Sequence, residues 1–217
     1  MVLQRDTGFL MATVTSTTLR RPNKKGFMAP YVVLEMAAAI EDVLGPDACC
    51  AALKDAQLFR LPESNEPVRE DKAARLHQVV RARWPDQARD IAEQAGSAAA
   101  DRIIDSQFTN RARSMLARMP RATGAWLLAK TAHQNAWIFS GTAEFVVESA
   151  QRFILRDNPL VIFGEADAPV CYFHASLFQR LFCVLIHPRL TCREVTCKAA
   201  GGKACVFEFT MSPAPSA

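Results

Sequence analysis

The hydrophobic period of this chain changes once, near Ala136, and the change restricts the folds open to it. Upstream, apolar residues recur at every third or fourth position, the spacing of one helix face. Downstream, short runs of β-branched and aromatic residues take over, the composition of strands. A chain that lays down helices first and strands afterwards is expected to be α+β. Its helical first half would pack on an antiparallel sheet carrying a C-terminal helix and β-hairpin.

Val33, Met36, Ala37, Ile40, Val43 and Leu44 predict a helix after Pro30, stopped by Gly45. Pro46-Asp47 restarts a shorter one through Cys49, Cys50, Leu53 and Ala56. Helical neighbours point about 100° apart, so Cys49 and Cys50 read as separate packing residues rather than a redox pair. Ser64–Pro67 is a loop, Arg69–Arg83 a helix broken by Trp84-Pro85, and Asp86–Ile104 a long Ala-rich helix. Helices around Asn110–Arg118 and Ala122–Gln134 follow. Trp137–Val147 and Gln151–Arg156 read as strands, Pro169–Ile186 as an apolar helix, and Arg193–Lys198 with Cys205–Thr210 as the final hairpin. Residues 1–28 form an irregular arm with one short strand at Leu10–Val14. Residues 29–211 form one domain, and 212–217 a frayed tail.

At 217 residues, half of them hydrophobic and 22% charged, the chain can bury a core of its own. No apolar run reaches the roughly 18–20 residues of a membrane span. The start, Met1-Val-Leu-Gln-Arg-Asp, lacks the features of a secretory signal. A cytoplasmic location is therefore expected, with the seven cysteines kept as thiols or bound to metal. The net charge of +4 lies in the arm, where Arg5, Arg20, Arg21, Lys24 and Lys25 face Asp6 alone. The body is neutral and carries no basic stripe or helix-turn-helix signature, so nucleic acid is not an expected partner.

Cys171, Glu194, Cys197 and Cys205 are the residues best suited to a metal, because thiolates with a carboxylate match the tetrahedral preference of Zn²⁺. The spacing alone also fits reduced, buried cysteines. In an ideal strand Glu194 and Cys197 would point to opposite faces, so convergence requires a bulge or a strand end near Thr196. Cys192 lies close enough to compete as a ligand.

Asn158-Pro159-Leu160, Gly164-Glu-Ala-Asp-Ala-Pro-Val-Cys171, Arg193-Glu-Val-Thr-Cys197 and Gly202-Lys-Ala-Cys205 together resemble the 4-vinyl reductase domain. Within that family the chain looks most like the bacteriochlorophyll 4-vinyl reductase proteins of photosynthetic bacteria. Related domains serve as sensors of phenols in bacterial transcription activators. The resemblance implies a small-molecule-binding domain over 29–211, with its zinc-bearing part at 136–211. It implies zinc on Cys171, Glu194, Cys197 and Cys205, a helical layer against a four- or five-stranded sheet with a ligand cavity between them, and a homodimer. It also implies a role in bacteriochlorophyll biosynthesis, alongside other enzymes of that pathway, on the 8-vinyl group of a divinyl tetrapyrrole.

Reduction of a vinyl group needs two electrons and two protons, usually supplied through a nicotinamide, a flavin or an iron–sulfur cluster. The chain carries no GxGxxG, Walker loop or ferredoxin-type cysteine run, so no NAD, flavin or Fe–S site is recognisable. Zinc is redox-inert, and four protein ligands make it structural. Three readings stay open: a tetrapyrrole-binding accessory or carrier, the vinyl reductase itself with an external donor, or a stand-alone ligand sensor. Trp126, His133, Trp137, Phe139, His174 and Phe178 are the candidate ligand-binding residues, with core packing as the alternative for each. Arg111, Arg113, Arg118 and Arg121 are a candidate clamp for a propionate, with a solvated helix face as the alternative. No catalytic residue is assigned.

Overall fold

The computed structural model describes residues 25–213 together with Leu19, Pro22 and Asn23. Its helices are α1 (Tyr31–Leu44), α2 (Pro46–Asp55), α3 (Glu70–Arg83), α4 (Ala88–Gln107), α5 (Asn110–Arg118), α6 (Arg121–Gln134), α7 (Trp137–Ser140) and α8 (Tyr172–Leu185). Its strands are β1 (Phe27–Met28), β2 (Val68–Arg69), β3 (Glu144–Ser149), β4 (Arg152–Arg156), β5 (Leu190–Thr196) and β6 (Cys205–Met211). The last four form one antiparallel sheet in the order β3-β4-β6-β5. The chain is α+β, and no helix among the described residues is long and apolar enough to cross a membrane.

The layers follow from which faces are apolar. On β4 and β6 the alternating residues Phe153, Leu155, Cys205, Phe207 and Phe209 turn to one side and are buried. Helix α8 lies on that side and inserts Phe178 and Phe182 among them, with ring centroids 4.4–5.6 Å apart. Helix α4 crosses the back of α8. The crossing is close because Gly96 has no Cβ: one built there would sit 2.2 Å from the Phe173 carbonyl oxygen. Helix α1 packs in turn on α4 through Val33, Met36, Ala37 and Ile40, all nearly inaccessible.

Two differences from the sequence reading have plain causes. Trp137, Ile138 and Phe139 read as strand but form α7, and β3 begins only at Glu144. All three are buried, and a short run buried on every side lacks the alternation that separates strand from helix. The Ser140 amide and hydroxyl both bond the Ala136 carbonyl, at 2.8 and 2.7 Å, and close the turn. The last two residues of the expected irregular arm, Phe27–Met28, instead pair with Val68–Arg69, and Met28 is fully buried. The strand expected at Leu10–Val14 lies outside the described residues, as do residues 214–217 of the tail. The Ser212 amide bonds the Arg189 carbonyl at 2.8 Å.

Candidate metal centre and ligand site

Helix α8 begins at Cys171, which occupies the N-cap position. There it meets the β5–β6 hairpin, and three separate structural devices bring the other ligating atoms to it. Cys205 stands on the inner face of β6, in line with Phe207 and Phe209. Glu194 stands on the inner face of β5, opposite Phe207. Between Glu194 and Thr196 the register slips, so that two residues of β5 span one of β6. This bulge reverses the alternation of the strand and returns Cys197 to the inner face. The chain then turns through Lys198–Ala200 and the left-handed Gly201. Gly202 follows with its amide on the Cys197 carbonyl at 2.9 Å, where a Cβ would strike the Thr196 methyl and that carbonyl.

The result is one atom each from Cys171, Glu194, Cys197 and Cys205, all within 4.8 Å of one another. The sulfur–sulfur separations are 3.4, 3.9 and 4.0 Å. They bracket the edge of about 3.8 Å expected for thiolates on a tetrahedral metal at about 2.3 Å. Glu194 Oε2 accepts the Cys171 amide at 2.7 Å, while Oε1 is buried with no hydrogen-bond partner among the described residues. An orphaned carboxylate oxygen beside three sulfurs is the signature of a position meant for a cation, and the donor set fits zinc. Cys192 is not among these converging atoms. Its amide is held elsewhere, donating to Gln179 Oε1 at 2.9 Å.

The electrostatics make the same point. Burial beside anionic sulfur pushes the Glu194 carboxyl up to about 8. Burial raises Cys171 strongly, and Cys205 stands at about 12 through its contact with Cys197 and through burial. Cys197 goes the other way, held well below the usual thiol range as it accepts hydrogen bonds from Cys171 and Cys205. With no countercharge the four groups can hold little more than one negative charge between them; a divalent cation removes that restriction.

The surroundings supply what bound thiolates need. Asn158, fully buried, points Nδ2 at Cys171 Sγ (3.4 Å) and Cys205 Sγ (3.8 Å), while its Oδ1 accepts the Leu160 amide. His174 donates Nε2–H to the Phe139 carbonyl at 3.0 Å and offers Nδ1 to the same Asn158 amide at 3.5 Å. Burial drives the His174 pKa down to about 4, so the ring is neutral and its tautomer is set by these two neighbours. Arg81 of α3 lies within electrostatic reach of Cys171, Cys197 and Glu194 and donates to the Leu160 carbonyl at 3.0 Å. Asn158 enters the sequence reading only as part of a turn, and Arg81 not at all. Both act through the fold, and no local spacing signals them.

The expected ligand-binding residues fall into three places. His174, Phe139 and Phe178 sit in the core; Phe139 and Phe178 stack edge-on at 5.3 Å, and the small cavity beside Phe139 holds only about 20 Å³. His133 and Trp137 line a groove of about 610 Å³ between the α6–α7 junction, the start of β3 and residues 22–27. His133 donates Nδ1–H to the Phe145 carbonyl at 2.8 Å, which leaves Nε2 unprotonated. Trp126 is half-exposed on α6, away from both, under the Lys130 ammonium. Of the four arginines considered as a clamp, Arg113 closes the C-terminus of α4 by bonding the Ile104 and Phe108 carbonyls. Arg121 reaches Met211 Sδ, and Arg111 and Arg118 are exposed.

Comparison with known proteins agrees with this architecture. The vinyl-4-reductase domain, the 4-vinyl reductase module, matches residues 153–211, the stretch that contains all four cluster residues. The bacteriochlorophyll synthase 23 kDa chain of Cereibacter sphaeroides is 31% identical over 184 residues, 84% of this chain and 89% of that one. Among solved structures, an H-NOX protein from S. oneidensis in the Fe(II)NO ligation state shares the fold with a TM-score of 0.54 at 12% identity, covering 86% of this chain and all of that one. The phenol-responsive sensory domain of the transcription activator PoxR with phenol does so with a TM-score of 0.50 at 14% identity, covering 75% of this chain and 89% of that one. With identity sustained along most of its length and the domain match seated on the converging cysteines, the chain belongs to the vinyl-4-reductase domain family, together with the bacteriochlorophyll synthase 23 kDa chains.

Proposed function

We propose that this protein serves bacteriochlorophyll biosynthesis by binding a divinyl tetrapyrrole, a chlorophyllide or Mg-porphyrin intermediate, as an accessory or carrier. The observation that carries the reading is the closed Cys171–Glu194–Cys197–Cys205 cluster within a chain 31% identical to a bacteriochlorophyll synthase subunit. Zinc bound there would supply a rigid link between α8 and the hairpin rather than an electron path, since four protein ligands leave no open position. The pigment belongs in the groove at His133 and Trp137: an indole face for the macrocycle and an imidazole Nε2 lone pair for its magnesium. Nothing in this role requires the chain to move electrons; its residues hold, orient and shield.

Absorption spectroscopy of purified protein with divinyl chlorophyllide, with and without NADPH or reduced ferredoxin, tests this directly. Binding should shift the pigment bands and leave the vinyl group intact, and His133→Ala with Trp137→Ala should abolish the shift. Formation of the ethyl product would replace the carrier reading by that of the vinyl reductase itself. No spectral change at all would sink both.

A further inference from the structure

The groove between α3, the Phe163–Ala166 loop and the start of α8 has about 280 Å³ of space, and Arg81 lines it. Arg81 is largely withdrawn from water, yet among the described residues it makes a single hydrogen bond, from Nη2 to the Leu160 carbonyl. A guanidinium fork carries further N–H groups suited to a planar anion. Gln78 and Tyr172, both half-buried, line the same groove and can add an amide and a hydroxyl. The remaining walls are apolar: Pro85, Phe163 and Val170 among them. Glu165 is the acid on the exposed rim.

We infer that this groove is a carboxylate-binding site, in which Arg81 pairs with the carboxylate of a flat, largely apolar organic acid. A cation withdrawn from water and facing an open space is costly unless an anion fills that space. The cluster anions lie behind it, but the Leu160 carbonyl takes the one bond Arg81 makes on the protein side. A planar acid fits better than inorganic phosphate because the apolar walls would leave phosphate oxygens unpaired. The acid can be a free small molecule or the propionate arm of a larger pigment. The inference stands on the groove itself and survives the loss of the tetrapyrrole reading.

Isothermal titration of the full chain with benzoate and with its neutral isostere benzamide is the test. Benzoate should bind at least about tenfold tighter, the loss expected when a charge-assisted pair is removed. Arg81→Gln should erase that preference at unchanged zinc content, Arg81→Lys should keep part of it, and Glu165→Gln should strengthen benzoate binding. Displacement of benzoate by divinyl chlorophyllide would identify the acid as the pigment's propionate; benzoate binding that chlorophyllide leaves untouched would identify a separate small acid. Equal binding of the two probes, no binding of either, or a benzoate preference that persists in both Arg81 variants overturns the proposal. An Arg81→Gln protein that fails to fold leaves the benzoate–benzamide comparison on the native chain to decide it.

Discussion

Buried thiolates need hydrogen-bond donors as well as a cation, and one side-chain amide, that of Asn158, faces two of the three sulfurs here. Its oxygen is committed to the Leu160 amide, so the orientation of the nitrogen is fixed rather than free to flip. Asn158→Asp keeps the shape but replaces that donor by an acceptor carrying charge of the wrong sign. Zinc affinity should fall about 10- to 100-fold, the usual effect of removing a partner behind a metal ligand. Competition against a chromophoric chelator measures it, and an unchanged affinity would show that the amide does not support the metal. The four ligating residue types were legible because their chemistry is specific, and the resemblance selected among the cysteines. Asn158 was not legible in that role: an asparagine before a proline is ordinary turn chemistry, and only the packing of α8 against β6 turns it toward sulfur.

At the scale of elements, the convergence of the cluster depends on a single extra residue. The half-exposed Val195 occupies the register slip between Glu194 and Thr196, and the sequence reading requires an irregularity at this place. Deleting Val195 should restore regular pairing with β6 and turn Cys197 outward, because a one-residue slip exchanges the faces of a strand. Zinc content should fall to background while far-ultraviolet circular dichroism stays close to that of the parent. Retained stoichiometric zinc would mean that Cys197 reaches the site by some route other than the bulge. The helices of the first half were legible almost to their ends, since Gly45 and Trp84-Pro85 punctuate strongly periodic segments. The strand boundaries were not: α7 hides inside a fully buried run, and β1–β2 is too short to show any period.

Taken as a whole molecule, the helical layer and the metal-bearing layer meet across three rings. His77 of α3 stands edge-on to Phe173 at 5.1 Å, and Phe173 to His174 at 5.6 Å. Both imidazoles are buried, and burial holds both pKa values below the ordinary 6.5, to about 4 for His174 and well down for His77. His77 Nε2 has no hydrogen-bond partner among the described residues, so a proton arriving there would be unsolvated. The folded protein thus keeps both rings neutral, whereas the unfolded chain protonates them below pH 6.5. A folded state that binds fewer protons loses stability as the pH falls, by about 1.4 kcal/mol per pH unit for each such histidine. The loss should begin near pH 6.5 and continue toward about 4, where folded His174 starts to take up its own proton. Metal release on acidification acts in the same direction, so the histidine share has to be isolated by difference. Urea unfolding of the parent and of His77→Phe between about pH 7.5 and 5 does so, because the metal ligands are common to both. The variant should show the shallower decline, and superimposable profiles would mean that the contact between the two layers is not what acid attacks.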